Sequence, residues 1–178
     1  VDASGSMGAQ ARMTAVKGAV LSLLIDAYQK RDRVGLVVFR GSGAEVILPP
    51  TGSVELARQR MQNLAVGKKT PLAHGLMKGY EMLVREQEKD NSVIPRLVLV
   101  SDGRGNVPLS SSNPLMDAVA VAERIWETGI AALVIDTESG LVSIGAARRI
   151  ARALDGVYCR LEDMKADGIA GTVRSFNG

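Results

Sequence analysis

Arg96-Leu97-Val98-Leu99-Val100-Ser101-Asp102-Gly103 is the stretch that decides the fold. Leu97 to Val100 is an uninterrupted apolar run with no polar residue at alternate positions, so a strand built from it must be covered on both faces, as helices cover a parallel sheet. The run stops at a serine, a carboxylate and a glycine, which places Asp102 at a strand's carboxyl end, where open α/β sheets gather their ligands. Outward from this stretch, Arg33 to Phe39, Glu45 to Leu48, Ala131 to Asp136 and Gly156 to Cys159 are further β-branched or leucine-rich runs of strand length. Helical spacing fills the gaps: Arg12 to Gln29 sets Met13, Val16, Val20, Leu23, Leu24 and Ala27 on one stripe, and Pro71 to Glu88, Asp117 to Glu127 and Val142 to Leu154 are patterned alike. The alternation predicts an α/β, Rossmann-like doubly wound fold with a mostly parallel sheet. Only Gly41-Ser42-Gly43-Ala44 separates Glu45 to Leu48 from the strand before it, too little for a helical crossover, so this strand is expected to pair antiparallel at a sheet edge and to end at Pro49-Pro50.

The chain has 178 residues, of which 46% are apolar and 23% charged. A chain of this length buries on the order of 70% of its unfolded surface without help from metals or crosslinks. A single domain over residues 1–178 is expected, with no internal disulfide because Cys159 is the sole cysteine. The longest nearly apolar run, Gly18 to Ile25, falls far short of the roughly 20 residues that cross a bilayer, so no membrane span is predicted. With no leader-like segment, a cytoplasmic location is the expectation. Val1-Asp2 reads as the last step of a strand entering a glycine-rich loop, so the chain is expected to be a fragment of a longer protein, its first strand largely upstream.

Several chemistries are excluded by the residues. The net charge is only +3 and the basic residues are scattered; Arg148, Arg149, Arg152 and Arg160 have Tyr158 as their only aromatic neighbour, so they read as a solvated helix face rather than a nucleic-acid platform. Gly67-Lys68-Lys69-Thr70 is not a phosphate loop, because Gln62 stands where the first glycine is needed and Lys69 where Ser or Thr is needed; no bound nucleotide is expected. His74 is the sole histidine, close to a helix start, and no Gly-x-Ser-x-Gly elbow exists, so hydrolase chemistry is not expected. Cys159 reads as a small apolar strand residue, Trp126 as a helix anchor against the sheet, Asp136 as a cap or as a support for a site on the carboxyl edge, and Leu109 to Pro114 as the most loop-like segment.

Asp2-Ala3-Ser4-Gly5-Ser6 offers one carboxylate and two hydroxyls at alternate positions. Oxygen donors of this kind suit Mg²⁺, which keeps several waters and needs few carboxylates. Read alone, the same residues also make a turn whose side chains bond nearby amides, and Thr70, just before Pro71, also reads as a helix cap. Asp2-x-Ser4-x-Ser6, Thr70 and Asp102 together resemble the three-part metal-ion-dependent adhesion site of von Willebrand factor type A domains. Val1 to Met7, Phe39-Arg40-Gly41, Leu48-Pro49-Pro50-Thr51, Thr70-Pro71-Leu72-Ala73, Ser101 to Asn106 and Tyr158 to Asp163 further resemble the carboxy-terminal domain of the magnesium chelatase D subunit and its cobaltochelatase-like relatives. Lys68 and Lys69 stand where that subfamily carries more glycine.

The resemblance implies Mg²⁺ or Mn²⁺ held by Asp2, Ser4, Ser6, Thr70 and Asp102, with no catalytic residue in the domain itself. It implies a connector in an ATP-driven chelatase that inserts Mg²⁺ into protoporphyrin, joining an ATPase-ring subunit to a porphyrin-binding subunit. With both aspartates acting through waters, an open coordination position would draw an acidic side chain from the partner, so cation and partner would bind cooperatively. Two other uses of the fold remain open: a cobaltochelatase-like subunit of cobalamin biosynthesis, and a general adhesion or assembly domain.

Overall fold

The computed structural model describes residues 1–4, 9–62, 67–139 and 144–163. In chain order the elements are α1 (Ala9–Gln29), β1 (Val34–Arg40), β2 (Gly43–Thr51), α2 (Val54–Gln62), α3 (Leu72–Lys89), β3 (Arg96–Ser101), α4 (Pro114–Glu127), β4 (Ala131–Asp136), α5 (Ala146–Ala153) and β5 (Val157–Arg160). Strands β3, β4 and β5 are parallel, with Ser101 opposite Asp136 and Asp136 opposite Arg160, so their carboxyl ends lie level. β1 and β2 form an antiparallel hairpin. Residues 1–3 join the two groups: Asp2 N donates to Val100 O at 2.9 Å, Ala3 N to Phe39 O at 3.2 Å and Phe39 N to Val1 O at 3.2 Å. The α/β architecture with one antiparallel edge strand is as the sequence predicts.

Alternation along the strands explains the two helix layers. Leu36 and Val38 of β1, Val98 and Val100 of β3, and Leu133 and Ile135 of β4 pack with Met13, Val16, Val20 and Leu24 of α1 and Ala57 and Met61 of α2. The opposite side chains, Phe39, Leu99, Ala132 and Val134, pack with Leu72 and Leu76 of α3, Ala122 and Ile125 of α4 and Ile150 of α5. A period of two on each strand thus feeds both layers. α3 comes down tightly on β1: a Cβ at Gly75 would lie 2.3 Å from the Phe39 ring.

Two expectations are corrected and one element is new. β2 does not end at Pro49-Pro50; it continues to Thr51 through register shifts opposite Val34 to Val37, because an edge strand at a bulge needs no amide from proline. α2 was not foreseen: its apolar stripe, Val54, Ala57 and Met61, is short, and among its described side chains only Ala57 and Met61 are buried. Trp126 is not an anchor; it is 54% exposed, while Ile125 beside it is buried. The helix expected over Val142 to Leu154 is the shorter α5, which begins at Ala146 after Gly145 in a left-handed conformation; residues 140–143 lie outside the described residues.

Candidate metal centre

The site stands on the carboxyl ends of the strands. Residues 1–3 bring Asp2 between β1 and β3, where the residue is 9% exposed. Ser4 N donates to Asp2 Oδ1 at 2.8 Å and the Ser101 hydroxyl to Asp2 Oδ2 at 2.8 Å. The turn expected from Asp2 and Ser4 is therefore present, and with Ser101 it orients the carboxylate. Burial pushes the Asp2 carboxyl above its usual range, against the pull of the Ser4 and Ser101 hydrogen bonds, and the charge of Asp102 adds to the rise.

Thr70 is buried, and its hydroxyl donates to Ser4 Oγ at 2.7 Å. Its side chain does not cap α3; the cap position is Pro71, which makes no side-chain cap bond. What fixes Thr70 is the loop after β3. Thr70 N donates to Asn106 Oδ1 at 2.7 Å and Asn106 N returns a bond to Thr70 O at 3.0 Å. Gly67 N donates to Ala3 O at 2.8 Å, tying the approach to Thr70 to the strand of Asp2. A Cβ at Gly67 would meet Arg40 Cβ at 2.8 Å, so the departure from glycine is tolerated at Lys68 and Lys69, both exposed, and not one residue earlier.

Asp102 follows Ser101 and is partly buried; its Oδ1 accepts from Arg104 N at 2.9 Å. Gly103 allows the chain to turn there. Its φ is +75°, and a Cβ would lie 2.3 Å from Ala147 N at the start of α5. The structure thus brings Asp2, Ser4 and Thr70 into hydrogen-bonded contact and Asp102 within electrostatic reach of Asp2. Ser6, the remaining predicted donor, lies outside the described residues.

All donors of this group are oxygens, two of them carboxylates, a set suited to a hard cation of the Mg²⁺ kind. The fit has a physical basis: the Asp2 carboxylate is desolvated and repelled by Asp102. A cation beside it would offset both penalties. Among the described residues no group of three or more His, Cys, Asp or Glu side chains converges, so the candidate donor set is one of two carboxylates and hydroxyls.

Sequence reasoning did not find Ser101, Asn106, Arg104 or Glu138. Ser101 had a signal, as the polar residue that ends an apolar strand beside Asp102. The carboxylate of Glu138, 4% exposed, pairs with the Arg104 guanidinium, which is 3.9 Å from Asp102 Oδ2. Asp136 is 1% exposed and accepts from Glu138 N at 2.8 Å and from Tyr158 OH at 2.7 Å, so it supports the edge as a buried acceptor. Burial raises the Cys159 thiol to about 11, in keeping with an unreactive strand residue.

This fold, with a carboxylate, hydroxyls and a second carboxylate on one sheet edge, defines a class of domain. The chain belongs to the von Willebrand factor type A domain family, whose model matches residues 1–104. More particularly, it is 41% identical over 182 residues to the magnesium-chelatase 67 kDa subunit of Heliobacterium mobile, a match covering 98% of this chain and 27% of that protein. It is 40% identical over 171 residues to an uncharacterised protein of Methanocaldococcus jannaschii, covering 96% of this chain and 98% of that one. Among solved structures, the von Willebrand factor domain of the pilus tip protein Mfa5 from Porphyromonas gingivalis superposes with a TM-score of 0.74 at 13% identity, covering 97% of this chain and 92% of that one. The chain is thus a chelatase-related von Willebrand factor type A domain that spans about a quarter of the Heliobacterium subunit. No helix among the described residues is long and apolar enough to cross a membrane.

Proposed function

We propose that this chain is a metal-ion-dependent protein-interaction domain of a magnesium chelatase, joining an ATPase-ring subunit to a porphyrin-binding subunit in the cytoplasm. The observation that supports it most is the 2.7 Å contact between the Thr70 and Ser4 hydroxyls beside the desolvated Asp2 carboxylate. The likeness to the chelatase subunit supplies the setting. A resident Mg²⁺ or Mn²⁺, when bound, supplies a positive centre with an open position for a partner's carboxylate.

The chain's own residues do the remainder. Ser101 and Ser4 N hold Asp2 in one orientation, Asn106 holds Thr70 against Ser4, and Gly103 lets Asp102 face the group at the cost of an unusual backbone angle. Ser6 is proposed as a further hydroxyl donor. In this reading the domain itself carries out no bond-making step, and the Mg²⁺ destined for the porphyrin is the assembly's substrate, separate from the resident ion.

Calorimetric titration with MgCl₂ and MnCl₂ tests the site. Wild type is expected to bind one ion, and Asp2→Ala to lose at least about tenfold in affinity, because hydroxyls cannot replace a carboxylate's charge. Equal binding by both would remove the assignment. Association with the ATPase-ring or porphyrin-binding subunit at fixed ionic strength is expected to weaken with EDTA and with Ser6→Ala plus Thr70→Ala, while circular dichroism is unchanged.

A further inference from the structure

Arg104 is an arginine placed beside the carboxylate of a proposed cation site, where a positive charge opposes the ligand the site is built to take. Its guanidinium Nε is 3.9 Å from Asp102 Oδ2, and its backbone N–H already holds Asp102 Oδ1 at 2.9 Å. The guanidinium is therefore not needed to orient Asp102. Its close partner is Glu138, whose side chain is 3% exposed against 47% for Arg104.

Glu138 is held in turn. Ile144 N donates to its Oε1 at 3.1 Å, and its own backbone N–H is fixed on Asp136 Oδ1 at 2.8 Å, with Tyr158 OH on the other Asp136 oxygen. A buried carboxylate so fixed keeps the arginine in place, since removing either partner leaves a desolvated or uncompensated charge. Nothing in the metal-centre geometry above uses this pair.

We infer that Arg104 and Glu138 form a charge-compensating pair that sets the cation affinity of the Asp2 and Asp102 site. Glu138 neutralises the guanidinium, so an arriving ion meets the two aspartates at nearly full strength. In the ion's absence, Arg104 lies near enough to Asp102 to relieve its repulsion with Asp2. The pair acts through Asp102, and Arg104 and Glu138 are charge-setting residues rather than ligands.

The inference rests on the proposed cation site, and the test separates the two. MgCl₂ and MnCl₂ are titrated by calorimetry into the wild-type chain, Glu138→Gln, Arg104→Gln and the double variant, each checked by circular dichroism and thermal melting. Glu138→Gln exposes the site to an uncompensated guanidinium and is expected to weaken binding about tenfold; Arg104→Gln removes the opposing charge and is expected to tighten it a few-fold. The double variant, neutral at both positions, is expected within about twofold of wild type. Should Glu138→Gln not fold, the opposite signs expected for Arg104→Gln and for loss of a structural contact still decide the matter. Weakening by all folded variants, or no change in any, overturns this inference alone while wild-type binding upholds the site. Absence of binding by wild type overturns both.

Discussion

Asp2 and Asp117 are both aspartates withdrawn from solvent, at 9% and 4% exposure, and their surroundings treat the charge in opposite ways. Asp117 lies in the first turn of α4. Its carboxylate accepts from Leu109 N at 2.7 Å, Ser110 N at 3.2 Å, Ser110 Oγ at 3.1 Å and Ser111 N at 2.9 Å. Those bonds, led by Leu109, pull its carboxyl down to about 2. At Asp2, burial outweighs the bonds from Ser4 and Ser101 and pushes the carboxyl up. One carboxylate is saturated by its own loop and folds Leu109 to Pro114, the most loop-like stretch of the sequence, onto a helix. At the other, burial outweighs the hydrogen bonds it receives, a penalty that a neighbouring cation would relieve. The balance between burial and hydrogen bonding separates the two carboxylates.

The largest effect expected is at Gly103, which turns the chain beside Asp102. Gly103→Ala puts a Cβ 2.3 Å from Ala147 N at a φ of +75°, on the chain that leads from Asp102 toward the Asp117 loop. It is expected to cost on the order of 3 kcal/mol by urea unfolding. A cost under about 0.5 kcal/mol, the range of ordinary surface changes, would show that the turn can relax and that neither region depends on it.

Asp117→Asn comes next and sharpens the contrast. Because the folded carboxyl is held at about 2 against an ordinary 3.8, wild-type Asp117 contributes stability above the ordinary value that is lost as pH falls through about 2. The variant is expected to melt lower than wild type at pH 7, with the gap closing between about pH 4 and pH 2. A gap independent of pH would mean that shape, not charge, joins the loop to α4.

Asp2→Asn has the smallest effect on the cation-free protein, and the opposite sign. A carboxyl raised in the folded state binds protons more readily there than unfolded, so wild-type stability falls as pH rises from the ordinary value of 3.8 through the raised one. In EDTA at pH 7 the variant is expected to melt at or slightly above wild type. With MgCl₂, wild type is expected to gain and the variant not to, by the linkage of ligand to the folded state. A loss of stability in EDTA like that of Asp117→Asn would place both aspartates in the same structural class.

How much of this was legible in the sequence depended on whether a residue's role was local. The strands were legible because Leu97 to Val100 and Leu133 to Ile135 announce two covered faces by composition alone. The hairpin was legible from the short Gly41 to Ala44 link, although β2 begins at Gly43 and the turn is tighter than expected. α2 was missed although Val54, Ala57 and Met61 stand at i, i+3 and i+7, because that stripe is short and is crossed by Arg58, Gln59 and Arg60. Trp126 misled because size was taken for burial; the helix turns its smaller neighbours Ala122 and Ile125 inward and leaves the ring outside. In the candidate site, Asp2, Ser4, Thr70 and Asp102 were legible as a pattern. Asn106 and Glu138 were not, because their work is defined by partners 36 and 34 residues away, Thr70 and Arg104, and no spacing encodes that.

The hydroxyl contact between Ser4 and Thr70 spans 66 residues of sequence, and the bond from Ser101 to Asp2 spans 99. Contacts of such separation close late, because the entropy of bringing distant segments together must be met before they reward it. The donor group therefore cannot preassemble on a short nascent segment. A chain still emerging from the ribosome, or one misfolded in its later strands, presents Asp2 and Ser4 without Thr70 or Ser101, so the whole donor group exists only once β1, α3 and β3 have docked.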